Sequence, residues 1–246
     1  MNTAPTYIGV DGCRGGWVAA VQRGAVVSVE VHATFSGLFA AYHDAVRVGV
    51  DMPIGLPHAG YPKRECEQLA RDKLRRRASS VFSPPCRAAA NASSVGEARK
   101  LNQQQLGSSL SVQAWNICPK IAEVDRALLA APALAKKVFE AHPEVCFWAL
   151  ANSQPMAHRK STQEGKQKRA ALLSQWLPQA AELREEAMRS FKRSVLQEDD
   201  VLDALVVLLT ARADAAELRY LPEESVLDEC GLPMRMAYWQ PGSTTA

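Results

Sequence analysis

Residues 6–21 read TYIGVDGCRGGWVAAV, and this stretch decides how the rest of the chain is interpreted. It has the pattern of a buried β-strand ending in Asp11, followed by a glycine-rich turn and a second apolar strand. Gly12, Gly15 and Gly16 permit a tight turn and let the backbone approach a ligand closely. The stretch therefore predicts a carboxylate at the carboxyl end of a sheet, where open α/β sheets bind ligands.

The composition indicates a folded protein of the cell interior. Of 246 residues, 47% are hydrophobic and 22% are charged, which suits a single domain spanning residues 1–246. No apolar run approaches the roughly 18 residues of a membrane helix, and the N-terminus lacks the pattern of a secretory signal. Six cysteines without CxxC spacing predict reduced thiols. We therefore predict a cytoplasmic protein with no membrane partner.

The basic side chains are unevenly distributed, although the net charge is only +3. Residues 63–77 carry seven basic and three acidic side chains, and residues 157–170 carry five basic and one acidic. Two basic segments on an otherwise acidic chain favour a phosphate-bearing partner, and we predict nucleic acid. The alternative is that both segments are solvated helix faces or loops.

Hydrophobic periodicity predicts five β-strands, at residues 7–13, 16–22, 25–31, 47–55 and 136–143. The first three are joined by short turns and predict an antiparallel meander. Residues 34–42 read as a helix, so a right-handed crossover makes the fourth strand parallel to a strand of the same sheet. The predicted fold class is α/β, with a mixed five-stranded sheet flanked by helices.

Residues 56–135 contain no clear strand and predict a helical insertion after the fourth strand. Its helices are predicted at 61–77, 95–106 and 113–129, with an irregular loop at 79–87. Later helices are predicted at 144–151, 169–176, 180–189 and 198–211, and the last is apolar nearly all round and therefore buried. The polar segment 153–168 is predicted to be mobile, and the tail from Pro222 to be irregular or an edge strand.

Five carboxylates occupy positions that this fold would bring together, and we predict that all five are catalytic: Asp11, Asp51, Glu140, Asp200 and Asp203. The predicted element order is that of a ribonuclease H-like fold, in which the first, fourth and fifth strands are parallel neighbours. Their carboxyl ends share one edge, and two residues three apart share one helix face. Carboxylates without a His/Cys ligand set favour Mg²⁺ or Mn²⁺. The predicted metal ligands are Asp11, Asp51, Glu140 and Asp203.

Structural interpretations of the same carboxylates stay open. Asp11 and Asp51 could be turn residues, and Asp200 could stabilise a helix N-terminus. Glu140 could pair with a basic neighbour instead of a metal. Asp203 is harder to explain in this way, because it lies in the apolar body of a helix, where an unpaired carboxylate is costly.

Six stretches resemble motifs of the domain of unknown function 429 family, described as predicted nucleases of ribonuclease H fold. They are GVDGCRGGW at 9–17, GVDMPIGLP at 49–57, SVFSPPCR at 80–87, KIAEVD at 120–125, FEAHPE at 139–144 and DDVLDAL at 199–205. The last is also similar to the DxxDAL helix of Holliday-junction resolvases, which implies a metal site made by Asp11, Asp51, Asp200 and Asp203. Those resolvases have a glutamate on the fourth strand where this chain has Asp51, so a contribution from Glu140 would compensate for the shorter side chain.

Four further residues are predicted to bind substrate: Arg14, Arg87, Lys120 and His142. Arg14 and Arg87 could clamp a phosphate. Lys120 could do the same or form a salt bridge with Glu123 on the same helix face. His142 could be a general base, a metal ligand or a structural histidine.

These observations predict a metal-dependent nuclease whose basic segments guide the substrate backbone. Two other classes stay open. A small-molecule phosphotransferase or ATP-binding protein of the actin-like or sugar-kinase type shares the meander and the glycine-rich turn after an aspartate, but usually needs a duplicated core. A non-catalytic scaffold would bind nucleic acid or protein through the helical insertion.

Overall fold

A computed structural model describes residues 4–242 of the chain and contains one seven-stranded sheet. The strands are β1 Thr6–Cys13, β2 Gly16–Arg23, β3 Val26–His32, β4 Arg47–Val50, β5 Val138–Glu140, β6 Leu218–Leu221 and β7 Met236–Trp239. Their order across the sheet is β3-β2-β1-β4-β5-β7-β6. The β1–β2–β3 meander is antiparallel, β1, β4, β5 and β7 are parallel to one another, and β6 is antiparallel to β7.

Ten α-helices are present between residues 4 and 242. They are α1 Phe35–Ala41, α2 Glu65–Leu74, α3 Arg87–Ala90, α4 Val95–Leu106, α5 Val112–Ala130, α6 Pro132–Ala135, α7 Pro143–Leu150, α8 Gln163–Ser174, α9 Ala180–Ser190 and α10 Glu198–Arg212. The 3₁₀ turns Arg75–Ser80 and Ala215–Glu217 follow α2 and α10. Helices α2 to α6 all lie between β4 and β5, so the predicted helical insertion is present.

The five predicted strands occur in the predicted order, but the prediction of a five-stranded sheet is wrong. The residues after α10 contribute two more strands of four residues each: β6, just before the predicted tail, and β7, within it. Strands this short show too few alternations for a period-two pattern to be recognised. The fourth strand also ends at Val50, and the segment predicted to be mobile contains the start of α8, which Thr162 caps by accepting a hydrogen bond from the Gly165 amide.

The side chains of the meander alternate between two cores, one on each face of the sheet. Ile8, Val10 and Ala19 face the side covered by α1 and α5, where they meet Phe35 and Ile121. The other face carries Val18 and Ala20 and is covered by α7, α9 and α10. Helix α10 is buried along most of its length, as predicted.

Helix α10 lies unusually close to the central strand because Gly9 has no side chain. A Cβ atom at Gly9 would lie 2.1 Å from the Leu208 backbone nitrogen and 2.2 Å from the Ala204 carbonyl oxygen. This contact fixes the height of α10 above the carboxyl end of β1.

The helical insertion is tied to the C-terminal segment through Asp228. Its buried carboxylate accepts hydrogen bonds from the backbone amides of Leu56, Cys230 and Leu232 and contacts Arg87 Nη2 at 2.5 Å. One side chain therefore joins three distant parts of the chain.

Within residues 4–242, no helix combines the length and the apolar character that crossing a membrane requires.

Candidate metal centre

Three carboxylates meet at the carboxyl ends of the central strands. Asp11 lies near the end of β1, Asp51 directly follows β4, and Asp203 projects from α10. One oxygen from each lies within 4.8 Å of the others. The Asp51 amide donates to the Val10 carbonyl at 2.9 Å, so the ladder between β1 and β4 extends to the two aspartates.

The carboxylate of Asp203 is only partly satisfied. The side chain is 1% exposed, and its Oδ2 atom accepts a hydrogen bond from Lys160 Nζ at 2.6 Å. Its Oδ1 atom is buried and has no hydrogen-bond partner among residues 4–242. A buried acceptor left unpaired costs about 1–3 kcal/mol, so this oxygen is a strong candidate for ligand contact.

Burial raises the pKa values of all three carboxyl groups, and repulsion within the group raises those of Asp11 and Asp51 further. Burial, the Asp51 charge and the Asp203 charge raise the pKa of Asp11 well above its usual value. The pKa of Asp51 is raised to about 8, mainly by burial and then by Asp203. Burial also raises the pKa of Asp203, although Lys160 opposes the shift. A divalent cation would offset this repulsion, and a set made only of carboxylate oxygens suits Mg²⁺ or Mn²⁺.

The three carboxylates open into a cavity of about 600 Å³. Its basic lining comes from both basic segments of the sequence and from α5: Arg77, Arg159, Lys160, Arg169 and Lys120. The two segments that are far apart in sequence therefore converge on one site. A negatively charged floor beneath positively charged walls suits a metal ion together with a phosphate group.

Glu140 lies at the same edge but does not join the three aspartates. Val10, Val50 and Glu140 are register partners across β1, β4 and β5, so their side chains share one face of the sheet. Asp11 and Asp51 each lie one residue further along and face the other side. The sequence prediction located the strand ends correctly but did not resolve this one-residue difference.

Instead, Glu140 belongs to a buried ion cluster with Arg64 and Glu67. Its Oε2 atom contacts Arg64 Nη2 at 2.6 Å and accepts a hydrogen bond from the Ile54 amide at 2.8 Å. Arg64 also contacts Glu67 at 3.0 Å and donates to the carbonyls of Ile54 and Gly55. Burial raises the pKa of Glu140 to about 7, against the effect of Arg64. Glu140 therefore pairs with a basic residue, which was the alternative to metal binding, and its contact with the Ile54 amide holds the segment after Asp51 in place.

Asp200 caps its own helix. Its Oδ2 atom accepts a hydrogen bond from the Gln197 amide at 2.9 Å, forming a capping box. Burial raises its pKa to about 6. The side chain lines a separate surface depression beside Arg14 and not the cavity that contains the three aspartates. Asp200 thus stabilises the N-terminus of α10, which was the structural interpretation of this residue.

The predicted substrate-binding residues are found in different places. Arg87 lies in the helical insertion, forms ion pairs with Asp125 and with Asp228 of the C-terminal segment, and does not line the cavity. Arg14 is exposed beside the turn after β1. Only Lys120 and His142 line the cavity itself.

Lys120 and His142 each contact a neighbouring backbone carbonyl group. Lys120 Nζ lies 4.4 Å from the centre of the Trp17 ring and donates to the Gly16 carbonyl. Glu123 does not pair with it, because Glu123 accepts hydrogen bonds from Trp17 Nε1 and the Phe35 amide. The Nε2 atom of His142 lies 3.3 Å from the Ser80 carbonyl, whereas its buried Nδ1 atom has no partner within the described part of the chain.

Sequence reasoning did not single out Glu144, Arg169 or Lys160. Glu144 and Arg169 form a buried ion pair at the cavity wall, and Glu144 Oε2 has no hydrogen-bond partner in residues 4–242. Arg169 and Lys160 fall in the second basic segment, so the charge pattern was the available signal. Glu144 is part of the stretch at 139–144, but its contact with Arg169 joins two consecutive helices, α7 and α8, and leaves no local pattern.

These features define an α/β protein with a buried acidic site at the carboxyl ends of parallel strands. The chain belongs to the family described as "Protein of unknown function (DUF429)", whose model matches residues 9–226. All six stretches that carry the resemblance lie inside this range. No curated protein and no solved structure matches the chain.

Proposed function

We propose that the protein is a metal-dependent nuclease that hydrolyses phosphodiester bonds, with Mg²⁺ or Mn²⁺ held by Asp11, Asp51 and Asp203. The observation that carries this proposal is that oxygens of the three carboxylates lie within 4.8 Å of one another. In addition, Asp203 Oδ1 is buried and has no hydrogen-bond partner among residues 4–242. Cation binding would satisfy that oxygen and remove the repulsion within the group.

The topology supports the ribonuclease H-like part of the proposal. Strands β3-β2-β1-β4-β5 are adjacent in that order, with an antiparallel meander beside parallel strands. This is the arrangement that the family resemblance implies, and β7 and β6 extend it at one edge. The acidic group lies at the carboxyl edge, where the proposal needs it.

The walls of the cavity provide the groups that would hold a phosphodiester. When bound, a divalent cation would supply a water of lowered pKa and positive charge for the phosphate oxygens. Arg77 and Arg159 line the cavity and would contact the non-bridging oxygens of the substrate backbone. Lys160 holds Asp203 in place through its short hydrogen bond. His142 Nδ1 would orient a water molecule, because it has no hydrogen-bond partner among residues 4–242.

The proposal is tested by measuring Mn²⁺ binding by calorimetry together with Mn²⁺-dependent cleavage of labelled oligonucleotides. Asp203→Asn keeps the size of the side chain but removes its charge. We expect this change to weaken Mn²⁺ binding by at least about tenfold and to abolish cleavage, since a ligand is lost.

Asp214→Asn is the matched control, because Asp214 is exposed just beyond the C-terminal end of α10 and does not line the cavity. It should bind Mn²⁺ and cleave as the wild type does. Equal cleavage by wild type and Asp203→Asn would contradict the proposal.

A further inference from the structure

One face of α5 is turned toward the acidic centre and has no part in the chemistry described above. Gln113, Asn116, Ile117 and Lys120 all line the cavity. Their spacing of three, four and seven residues places them on a single stripe of the helix. The insertion therefore presents a continuous surface to the carboxylates.

This stripe combines an apolar surface with free amide groups. Ile117 is half-buried, and the half-buried ring of Phe82 lines the same cavity. The side-chain amides of Gln113 and Asn116 are exposed and form no hydrogen bond with any other group between residues 4 and 242. Apolar side chains pack against the face of a nucleobase, and amides bond to its edge through paired donors and acceptors.

The size of the cavity limits what can enter it. Its volume of about 600 Å³ lies within the range of about 300–1,000 Å³ that holds a small ligand, which is the size of one nucleotide. A base-paired nucleotide brings its partner and its stacked neighbours with it. A cavity of about 600 Å³, lined by α5, by the turn after α2 and by the segment before α8, is too small to hold these as well.

We propose that the cavity receives one unpaired nucleotide of a single-stranded nucleic acid. Its base lies against Phe82 and Ile117, within reach of Gln113 and Asn116, and its phosphate lies over the carboxylates. The inference rests on the proposed nuclease function and adds the class of substrate. The α5 stripe then determines which strands are cleaved, separately from the residues that bind metal.

The experiment compares Mn²⁺-dependent cleavage of one labelled oligonucleotide as a single strand and as a blunt duplex. We expect the single strand to be cleaved at least about tenfold faster, because a duplex must first unpair and unstack the nucleotide that enters the cavity. The double variant Asn116→Ala/Ile117→Ala should lower the single-strand rate by about tenfold while Mn²⁺ binding measured by calorimetry is unchanged. Gln113→Ala should alter the relative rates on homopolymer strands of different bases.

Val112→Ala is the matched control, since Val112 lies on the same helix, is 61% exposed and does not line the cavity. It should cleave as the wild type does. Equal rates on single strand and duplex, or a wild-type rate for the double variant, would overturn the inference and leave the nuclease proposal intact. Absence of Mn²⁺ binding and of all cleavage in the wild type would overturn both.

Discussion

Asp51 is the acidic residue whose charge we expect to destabilise the metal-free protein most clearly. Its pKa of about 8 in the folded state lies above the value near 3.9 expected in the unfolded chain. The folded state therefore binds more protons between these values, and stability falls as the pH rises through this window. The penalty is complete above about pH 8 and absent below about pH 4.

We predict that Asp51→Asn stabilises the metal-free protein at pH 9. With EDTA present, Tm should rise by roughly 2–8 °C, which corresponds to about 1–2 kcal/mol. The gain should nearly vanish at pH 4, where the wild-type carboxyl group is protonated in the folded state and about half protonated in the unfolded chain. Addition of Mn²⁺ should raise Tm of the wild type but not of the variant. A lower Tm for Asp51→Asn at pH 9 would contradict this prediction, because it would mean that neighbouring groups already compensate the Asp51 charge.

The convergence of Asp11, Asp51 and Asp203 could be predicted because each follows from a backbone position: two strand ends and one helix face. The partners of Glu140 and Asp200 could not. Whether a strand-end carboxylate faces one side of the sheet or the other changes with a single residue of register. Arg64, which binds Glu140, is far away in sequence, and no local sequence pattern predicts an ion pair of this kind.

The packing of α10 against β1 positions Asp203 over Asp11, and it depends on Gly9. We predict that Gly9→Ala lowers the free energy of unfolding by about 3 kcal/mol or more, because the new methyl group meets helix backbone and not a movable side chain. The expected fall in Tm is roughly 6–12 °C. Because the helix must move away, Mn²⁺ affinity measured by calorimetry should fall as well.

Gly96→Ala provides the comparison, since a Cβ atom at Gly96 in α4 would have no atom within 4 Å. Alanine favours the helix by up to about 1 kcal/mol, so this variant should be neutral or more stable. If Gly9→Ala behaves in the same way, α10 does not rest on β1 as closely as described.

Long elements could be predicted well, and short ones could not. The β1–β2–β3 meander contains enough residues for its pattern to be clear, and α10 is an apolar segment of 15 residues, which is too long for a typical strand. Strands β6 and β7 have four residues each, and they acquire their role from pairing with one another and with β5. Their place in the sheet is a tertiary property, because an isolated pair of strands this short is marginally stable in water.

At the scale of the whole molecule, Asp228 connects the helical insertion to the C-terminal segment. Burial raises its pKa, but the Arg87 guanidinium and three backbone amides outweigh this and lower the pKa below its usual value. Its stabilising effect is therefore present above the unfolded-state pKa near 3.9 and is lost as the pH falls through the folded-state pKa.

We predict that Asp228→Ala lowers the free energy of unfolding in urea by about 3 kcal/mol at pH 7, because Arg87 and the Leu56 amide lose a buried partner. The difference from wild type should shrink in acid. Glu229→Ala is the neighbouring control: Glu229 is 54% exposed at 3.6 Å from Arg87, and its loss should cost less than about 1 kcal/mol. Similar losses for both variants would mean that Asp228 is not the central contact.

The position of α10 on β1 has a consequence for protein synthesis. Strands β1 to β3 leave the ribosome well before α10, yet the face that carries Val18 and Ala20 is covered by the helix formed from residues 198–212. The growing chain therefore lacks the helix that covers this apolar face until those residues have been made. We expect the core to close in one late step, so that nascent chains are vulnerable to aggregation until α10 has emerged.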